Sequence, residues 1–537
     1  MPRVEEVVPD FAMLKDRLTG SSVVEERYTA TQVPSSGDSY AVGGSGTKLM
    51  IIRVANQNDY IDTSTLVLNF KAQASSASSV AIDDHIFSCV DTINVKVGGQ
   101  TVEVLNNVGH LMNALVQGSM PLAYYKQNGG FEGLYIYDKW ADAKGVRGYL
   151  GQGAAPGTPP VAATAPATWT YVDACAASTP DTQNSQQVQL RWDVGNSWLD
   201  NGRYYSIPLT LLGLCRIPTL FAARNFQDVT IEILMRSSLQ GAVWQKDPTA
   251  AAPAWVTAAG SQINLSDVTL TYDCCRMSAD YYALMDQELK MPNGSGVAYP
   301  IDTYQVQPAL IPASGTVGAD LTAYSSTGLT RIVVAKGTRF LKGIYGCSKL
   351  QAAESSSLWR NNSSAGNFAF NSYQVIINSK RYPQLQIQSS AQAFQELQKA
   401  YNQLGSVAGG SLTSWFTYVG QPIARTKANL PLTAVARQDK VSAPSKDGTS
   451  LGVYPSDEAM FHLGVNLEQF LSSQPDAGGI NTSTSGYQIA VELSQNGAVA
   501  DAAGTAGTLT SANLTHYVIL HFTRVLTLKA GAVEVLD

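Results

Sequence analysis

Apolar and polar positions alternate singly along much of this chain. In "DVTIEIL" Val229, Ile231 and Ile233 interleave with Thr230 and Glu232, and in "DVTLTYD" Val268, Leu270 and Tyr272 interleave with Thr269 and Thr271. A period of two sends one row to a core and one to solvent, so both stretches predict strands. Joined by a long loop, they read as an antiparallel pair. From Lys48 onward more short strands follow, "KLMIIRV", "STLVLNF" and "TINVKVGGQTVEV". The last predicts a hairpin, with Ile93, Val95 and Val97 alternating, Gly98-Gly99 turning, and Val102 and Val104 returning. A helix comes next, capped by Asn106 or Asn107, with Val108, Leu111, Met112 and Leu115 on one face and Gly118 at its end.

The same string of elements is written again about 280 positions later, as internal duplication requires. Tyr373, Val375 and Ile377 alternate, Asn378-Ser379 can turn, and Leu385 and Ile387 return. Ser389 or Ser390 then caps a helix carrying Phe394, Leu397, Tyr401 and Leu404 and ending at Gly405. "RYYSIPLTLLGL" precedes "DVTIEIL" as "MFHLGVNLEQFL" precedes "YQIAVEL", and "YVILHFTRVLTL" is the counterpart of "DVTLTYD". The order of elements is kept throughout. A whole β domain is written twice.

Length agrees, since 537 residues accommodate two large β units. The expected boundaries are an arm over 1–44, a first domain over 45–285, a linker over 286–297 and a second domain over 298–537. Ala/Pro/Gly/Ser-rich loops at 150–190 and 237–262, and again at 406–456 and 494–512, are expected to be ordered protrusions, since Trp169, Trp244, Trp255 and Trp415 lie within them. In the arm, "DFAMLKDRL" has Asp10 as a cap and Phe11, Leu14 and Leu18 on one helical face. So short an amphipathic helix is marginal alone, so it must dock on its own core or on a neighbouring subunit.

Charged residues make up only 15% of the chain and the net charge is −6. Strong direct nucleic-acid binding needs clustered basic residues, and none are clustered here. The six cysteines form no C-x-x-C pair and mostly sit in apolar runs, which predicts buried free thiols in a reducing compartment. The start, "MPRVEEVVPDF", lacks the apolar region of a signal peptide, and synthesis in the cytosol is expected.

Eight or so strands, one helix after an early hairpin and two long loops per half fit an eight-stranded jelly roll. The predicted fold is all-β, two consecutive jelly-roll sandwiches with short helices and long tower loops. The stretches "YYSIPLTLLGLCRIPTLFAARNFQDVTIEI", "INLSDVTLTYDCCRMSADYYALMDQELK", "MFHLGVNLEQF" and "HYVILHFTRVLTLKAGAVEVL" resemble, in that order, parts of the double jelly-roll major capsid proteins. That lineage runs from tectiviruses and adenoviruses to virophages, polinton-like viruses and nucleocytoplasmic large DNA viruses. The resemblance spans roughly residues 45–537. It implies a homotrimer whose six rolls form a pseudo-hexagonal capsomer tiling an icosahedral shell around double-stranded DNA. It also implies neighbouring capsomers, penton and minor capsid proteins, and an inner membrane or inner capsid proteins as partners. Synthesis in the host cytoplasm and residence in the virion follow from it.

Candidate chemistry is sparse. The histidines are His85, His110, His462, His516 and His521. His516 and His521, five apart on one strand, point to opposite faces and cannot share a metal. Neither H-E-x-x-H, a zinc spacing, G-x-S-x-G nor a Walker A motif occurs. Asp83-Asp84 beside His85 reads as a turn entering a strand. No catalytic, cofactor or metal site is expected, and the chain is not read as an enzyme. Alternatives to the major capsid reading are a carbohydrate-binding or host-attachment β-sandwich, with Tyr124, Tyr125, Tyr135 and Tyr137 as a sugar platform, and a minor capsid or vertex protein.

Overall fold

The computed structural model describes residues 24–121, 202–290, 297–312, 329–350, 370–401, 461–468, 479–500 and 509–536, apart from short breaks within these spans, together with Tyr418 and the segments 424–426 and 450–453. The first half contains β1 (Val24–Gln32), β2 (Tyr40–Val42), β3 (Leu49–Arg53), β4 (Tyr60–Ala74), β5 (Ser79–Ile82), β6 (Val90–Val97) and β7 (Gln100–Asn106). The short helix α1 (Val108–Leu111) follows, then β8 (Arg203–Pro208), β9 (Val229–Met235), β10 (Val243–Lys246), β11 (Ala254–Trp255), β12 (Ile263–Met277) and α2 (Ala279–Lys290). The second half runs β13 (Val297–Ile311), β14 (Thr330–Val334), β15 (Leu341–Leu350), β16 (Ser372–Ile377), β17 (Lys380–Ile387) and α3 (Ser390–Ala400). It ends with β18 (Ala424–Thr426), β19 (Ser450–Val453), β20 (His462–Asn466), β21 (Ile489–Ser494), β22 (Gly497–Ala500), β23 (Leu509–Ala512), β24 (Leu514–Lys529) and β25 (Ala532–Leu536).

Each half folds into two facing antiparallel sheets. The first half orders its strands β1-β12-β4-β8 and β3-β9-β6-β7, and the second orders them β13-β24-β15-β20 and β14-β21-β16-β17. Counting eight strands along either half, the orders are 1-8-3-6 and 2-7-4-5 both times. That is a jelly roll, built twice. Smaller features repeat as well. An isolated bridge ties the start of the third strand to a later loop in each roll, Ile61 to Phe221 and Leu341 to Ile480.

"DVTIEIL" and "DVTLTYD" are therefore not partners. The first is β9, between β3 and β6, and the second lies in β12, between β1 and β4. Alternation fixes which residues of a strand face inward but says nothing about its neighbour, and the roll sends its seventh and eighth strands to opposite sheets.

The expected arm is also too long. β1 starts at Val24 and pairs with β12 from Val24↔Met277 to Gln32↔Leu270, so the first roll begins about twenty residues before the expected boundary. Its polar, part-exposed pattern hid it from a search for apolar runs. Phe11, Leu14 and Leu18 lie outside the described residues. Between the rolls, α2 starts within the expected first domain and runs into the expected linker as far as Lys290. Tyr282 fixes it by donating to Asp59 Oδ1 at 3.0 Å and accepting from the Met277 amide at 3.0 Å, and Arg224 bridges to Asp286 at 3.3 Å.

Both predicted hairpins form. Gly98 (φ 55°) and Gly99 (φ 77°) supply the left-handed pair that a tight two-residue turn needs. Asn378 (φ 45°) and Ser379 (φ 69°) do the same in the second roll. The returning strands depart from simple alternation. A bulge between Val95 and Lys96 turns Val102, Glu103 and Leu105 inward and leaves Val104 half-buried. In β17 a larger irregularity separates the pairs Val375↔Tyr382 and Tyr373↔Ile387, and Leu385 is thrown out to 85% exposure. Ile387 stays buried as expected.

The helices start where expected. Ser389 caps α3 by accepting from the Gln392 amide at 3.2 Å, while Asn107 precedes α1 in a left-handed conformation without a side-chain cap. Leu404, Gly405 and Gly118 lie outside the described residues. Of the predicted protrusions, 237–262 contains β10 and β11, which join β5 in a small sheet. Within 406–456, β18 pairs with β19, and within 494–512, β22 pairs with β23. Residues 150–190 lie outside the described ones.

Candidate functional site

The first roll lays its fifth strand, β7, and the turns after its sixth, β8, against the free edge of β13. A carboxylate sits at the middle of this seam. Glu103 of β7 is 0% exposed and takes hydrogen bonds from the Gly213 amide at 3.0 Å on each oxygen and from Thr303 Oγ1 at 2.9 Å. Burial pushes its carboxyl above the ordinary value, against the pull of those donors and of the Arg216 and Arg524 charges. No room is left around it. A side chain at Gly213 would place its Cβ 2.1 Å from the Asp302 carbonyl oxygen, which explains glycine there.

Arginines cross the seam in both directions. Arg216 donates to Tyr304 Oη and to the Asp302 carbonyl, each at 2.7 Å, and its guanidinium lies 4.9 Å from the Tyr304 ring centre. Arg524 of β24 returns a bond of 2.6 Å to the Val102 carbonyl. Behind them Asp302 accepts from Lys342 Nζ and Thr523 Oγ1, both at 2.6 Å. Burial raises the Asp302 carboxyl, but the neighbouring His521, the Lys342 charge and these bonds outweigh it and hold it below its ordinary value. The carboxylates here are met by donors and the arginines by acceptor oxygens, the condition for placing charge in the seam without large penalty.

Aromatic contacts flank the polar centre. Tyr299 packs against Phe221 at 5.0 Å between ring centres, and its hydroxyl bridges the Ala222 amide and the Leu220 carbonyl. His110 lies 4.2 Å from the ring of Tyr517, and Tyr401, just past α3, donates to the Ala114 carbonyl. At the far end the β6–β7 turn meets β25, where a Cβ on Gly98 would lie 2.8 Å from Val533 Cγ2. The two rolls are joined along the whole of β7.

The histidines are packing groups. His110, His462 and His516 are buried and His521 is half-buried, rather than solvated. His516 and His521 do face opposite ways: His516 Nδ1 meets Ser348 Oγ at 2.8 Å, while His521 stacks on Tyr304 at 4.7 Å. Burial lowers both to about 3. A hypothetical Cβ on Gly346 would lie 2.6 Å from His516 Nε2, so no ligand fits there. Among the described residues no group of three or more His, Cys, Asp or Glu is placed to hold a metal ion. Cys89, Cys215, Cys274, Cys275 and Cys347 are buried and free, and burial pushes the Cys89 thiol up to about 12. His85, Asp83, Asp84 and the tyrosines at 124, 125, 135 and 137 lie outside the described residues.

Sequence reasoning missed Glu103, Arg216 and Asp302. A signal was present in the glutamate, set between Val102 and Val104 in a strand otherwise apolar on one side. Only a partner in another domain makes that placement tolerable.

No family model matches the sequence, and no curated protein sequence matches it. Solved structures do. A chain of the Sputnik virophage structure is 10% identical, with 96% of this chain and 89% of that one covered and a TM-score of 0.49. Protein VP54 of PBCV-1, fitted into a reconstruction of Sputnik, is 11% identical, with 96% and 98% covered and a TM-score of 0.48. The mavirus major capsid protein is 8% identical, with 96% and 91% covered and a TM-score of 0.44. The chain is similar, over nearly its whole length, to double jelly-roll major capsid proteins of viruses.

Proposed function

We propose that this chain is a major capsid protein. Its homotrimers form pseudo-hexameric capsomers, and these tile an icosahedral shell around a double-stranded DNA genome. The observation that carries the reading is the duplication itself: two jelly rolls of identical strand order, locked side by side by a buried seam. Such a unit is a rigid tile, and a shell needs rigid tiles. Penton and minor capsid proteins, neighbouring capsomers and an inner layer are the partners this role requires. The protein is made in the host cytoplasm and resides in the virion. The segment before β1, with Phe11, Leu14 and Leu18, serves as the contact to an adjacent capsomer or an inner capsid protein.

The test is the mass of the purified protein in solution. Light scattering at a mass of three chains is expected, with closed shells forming when the protein is concentrated or co-expressed with its partners. A single-chain mass together with binding to a glycan array would overturn the capsid role in favour of a sugar-binding sandwich.

A further inference from the structure

The two rolls differ in charge at one end of the sheet β14-β21-β16-β17. The connections Ile311–Thr330, Leu350–Ser372 and Ser494–Leu514 all leave the second roll together, since Ile311 and Leu350 pair with Leu514, Thr330 with Leu493 and Ser372 with Ser494. At the opposite end Val334, Ile489, Ile377 and Lys380 lie abreast. Beyond them Lys336 and Arg339 follow β14, Tyr487 and Gln488 precede β21, and Asn378 and Ser379 turn from β16 into β17. Arg339, Lys380, Arg381 and Tyr487 are exposed, and Lys336 is half-buried with its Nζ 5.7 Å from the centre of the Phe522 ring. No Asp or Glu occurs in segments 335–340, 378–381, 479–483 or 487–488, and the nearest acid along these strands is Glu492, level with Arg331. Basic side chains dispersed in the sequence are gathered here by the fold.

The first roll does not repeat the pattern. Where the Asn378 amide donates to the Gln488 carbonyl at 3.1 Å, the Gly98 amide donates to the Asp228 carbonyl at 2.7 Å. Asp228 therefore stands in the place of Gln488, and Gln100 and Thr101 stand in those of Lys380 and Arg381. The same strands fold without these charges, which leaves the charges a role other than folding. The segment that carries Lys336 and Arg339 is also held firmly. The Thr338 amide donates to Thr482 Oγ1 at 2.9 Å, the Thr482 amide donates back to the Thr338 carbonyl at 2.6 Å, and a Cβ on Gly337 would lie 2.9 Å from the Thr482 carbonyl oxygen.

We propose that this end of the second roll binds the phosphate backbone of double-stranded DNA without regard to sequence. Charge complementarity carries the assignment. From β14 to β17 is three strand spacings, about 14 Å, over which a duplex presents about eight phosphates. Exposed guanidinium and ammonium groups line that width, and no carboxylate among them repels the backbone. Four basic groups make a weak contact in a single chain, and repetition over many copies makes it strong. The role of the contact rests on the capsid reading, in which the end opposite the long connections faces the genome.

Fluorescence anisotropy of a labelled duplex of arbitrary sequence, titrated with the full-length protein, tests it. Affinity should fall with salt at a log–log slope of about −3 to −4, as three or four neutralised phosphates require. Lys380→Glu with Arg381→Glu should weaken binding about tenfold or more and reduce the slope by about two, and Arg339→Glu should reduce it by about one. Lys48→Glu with Arg53→Glu on β3, the same change of charge on the first roll, should alter affinity by less than about twofold. Circular dichroism and the mass in solution check that each variant folds and assembles as the wild type does. Vesicles of phosphatidylcholine and phosphatidylserine, offered in place of the duplex, separate a lipid headgroup from DNA. Absence of duplex binding, binding to vesicles alone, or equal weakening by the two double variants overturns the inference. The mass of the wild type is read independently, so none of these results bears on the assembly reading.

Discussion

Glu103→Ala is the change that most directly probes how the two rolls hold together. The substitution removes a fully buried carboxylate whose oxygens receive the Gly213 amide twice at 3.0 Å and Thr303 Oγ1 at 2.9 Å. Two donors are left without acceptors in a space closed to water, each costing about 1–3 kcal/mol. Arg216 and Arg524 also lose a neighbouring negative charge. Removing one member of such a buried arrangement costs about 3–5 kcal/mol, a large share of the roughly 5–15 kcal/mol that stabilises a typical fold. Glu103→Gln keeps one acceptor oxygen in place, where it can receive both Gly213 and Thr303, and should cost only about 1–2 kcal/mol. The assay is urea unfolding followed by both tryptophan fluorescence and far-ultraviolet circular dichroism. Because Glu103 joins one roll to the other, the alanine variant should also separate one cooperative transition into two. A loss below about 1 kcal/mol with a single transition would show that the seam does not depend on this carboxylate.

Three further outcomes are expected. Burial holds His110, His516 and His521 neutral, the last two at about 3 against an ordinary value of 6.5. The unfolded chain therefore binds protons that the folded one refuses, and stability falls as pH drops from about 6.5 toward 3, by about 1.4 kcal/mol per pH unit for each histidine. Glu103, raised by burial, acts with the opposite sign above its ordinary value of 4.5 and offsets part of this loss, and urea midpoints that stay flat between pH 6.5 and 5 would refute the burial argument. Gly213→Ala should destabilise the protein by more than about 2 kcal/mol in the same melts, since the added carbon must displace the backbone of β13. Removing residues 2–23 should leave folding and the number of chains per particle in solution unchanged while impairing shell closure seen by electron microscopy, whereas removing 2–40 takes β1 from the first sheet and should abolish soluble folded protein.

The sequence by itself settled which kind of object this is. Period-two alternation at Ile231 or Leu270, the Gly98-Gly99 turn and the Ser389 cap are local signals, because each depends on neighbours a few residues away. Their recurrence in the same order made the duplication legible without any pairing being known. Which strands pair was not legible, since "DVTIEIL" and "DVTLTYD" have the same face pattern whether they share a sheet or lie in opposite ones. Nor was β1, whose polar exposed residues carry no apolar row and which is a strand only because β12 offers it an edge. The seam was decided by tertiary structure alone. Glu103 can be buried because Gly213, Thr303 and two arginines from distant parts of the chain converge on it, and no local pattern encodes a convergence of that kind. The unequal fate of equivalent elements, with Val102, Glu103 and Leu105 of β7 buried but only Ile387 of β17, has the same origin: a repeated sequence specifies the same strand twice, while its surroundings depend on what lies beside each copy.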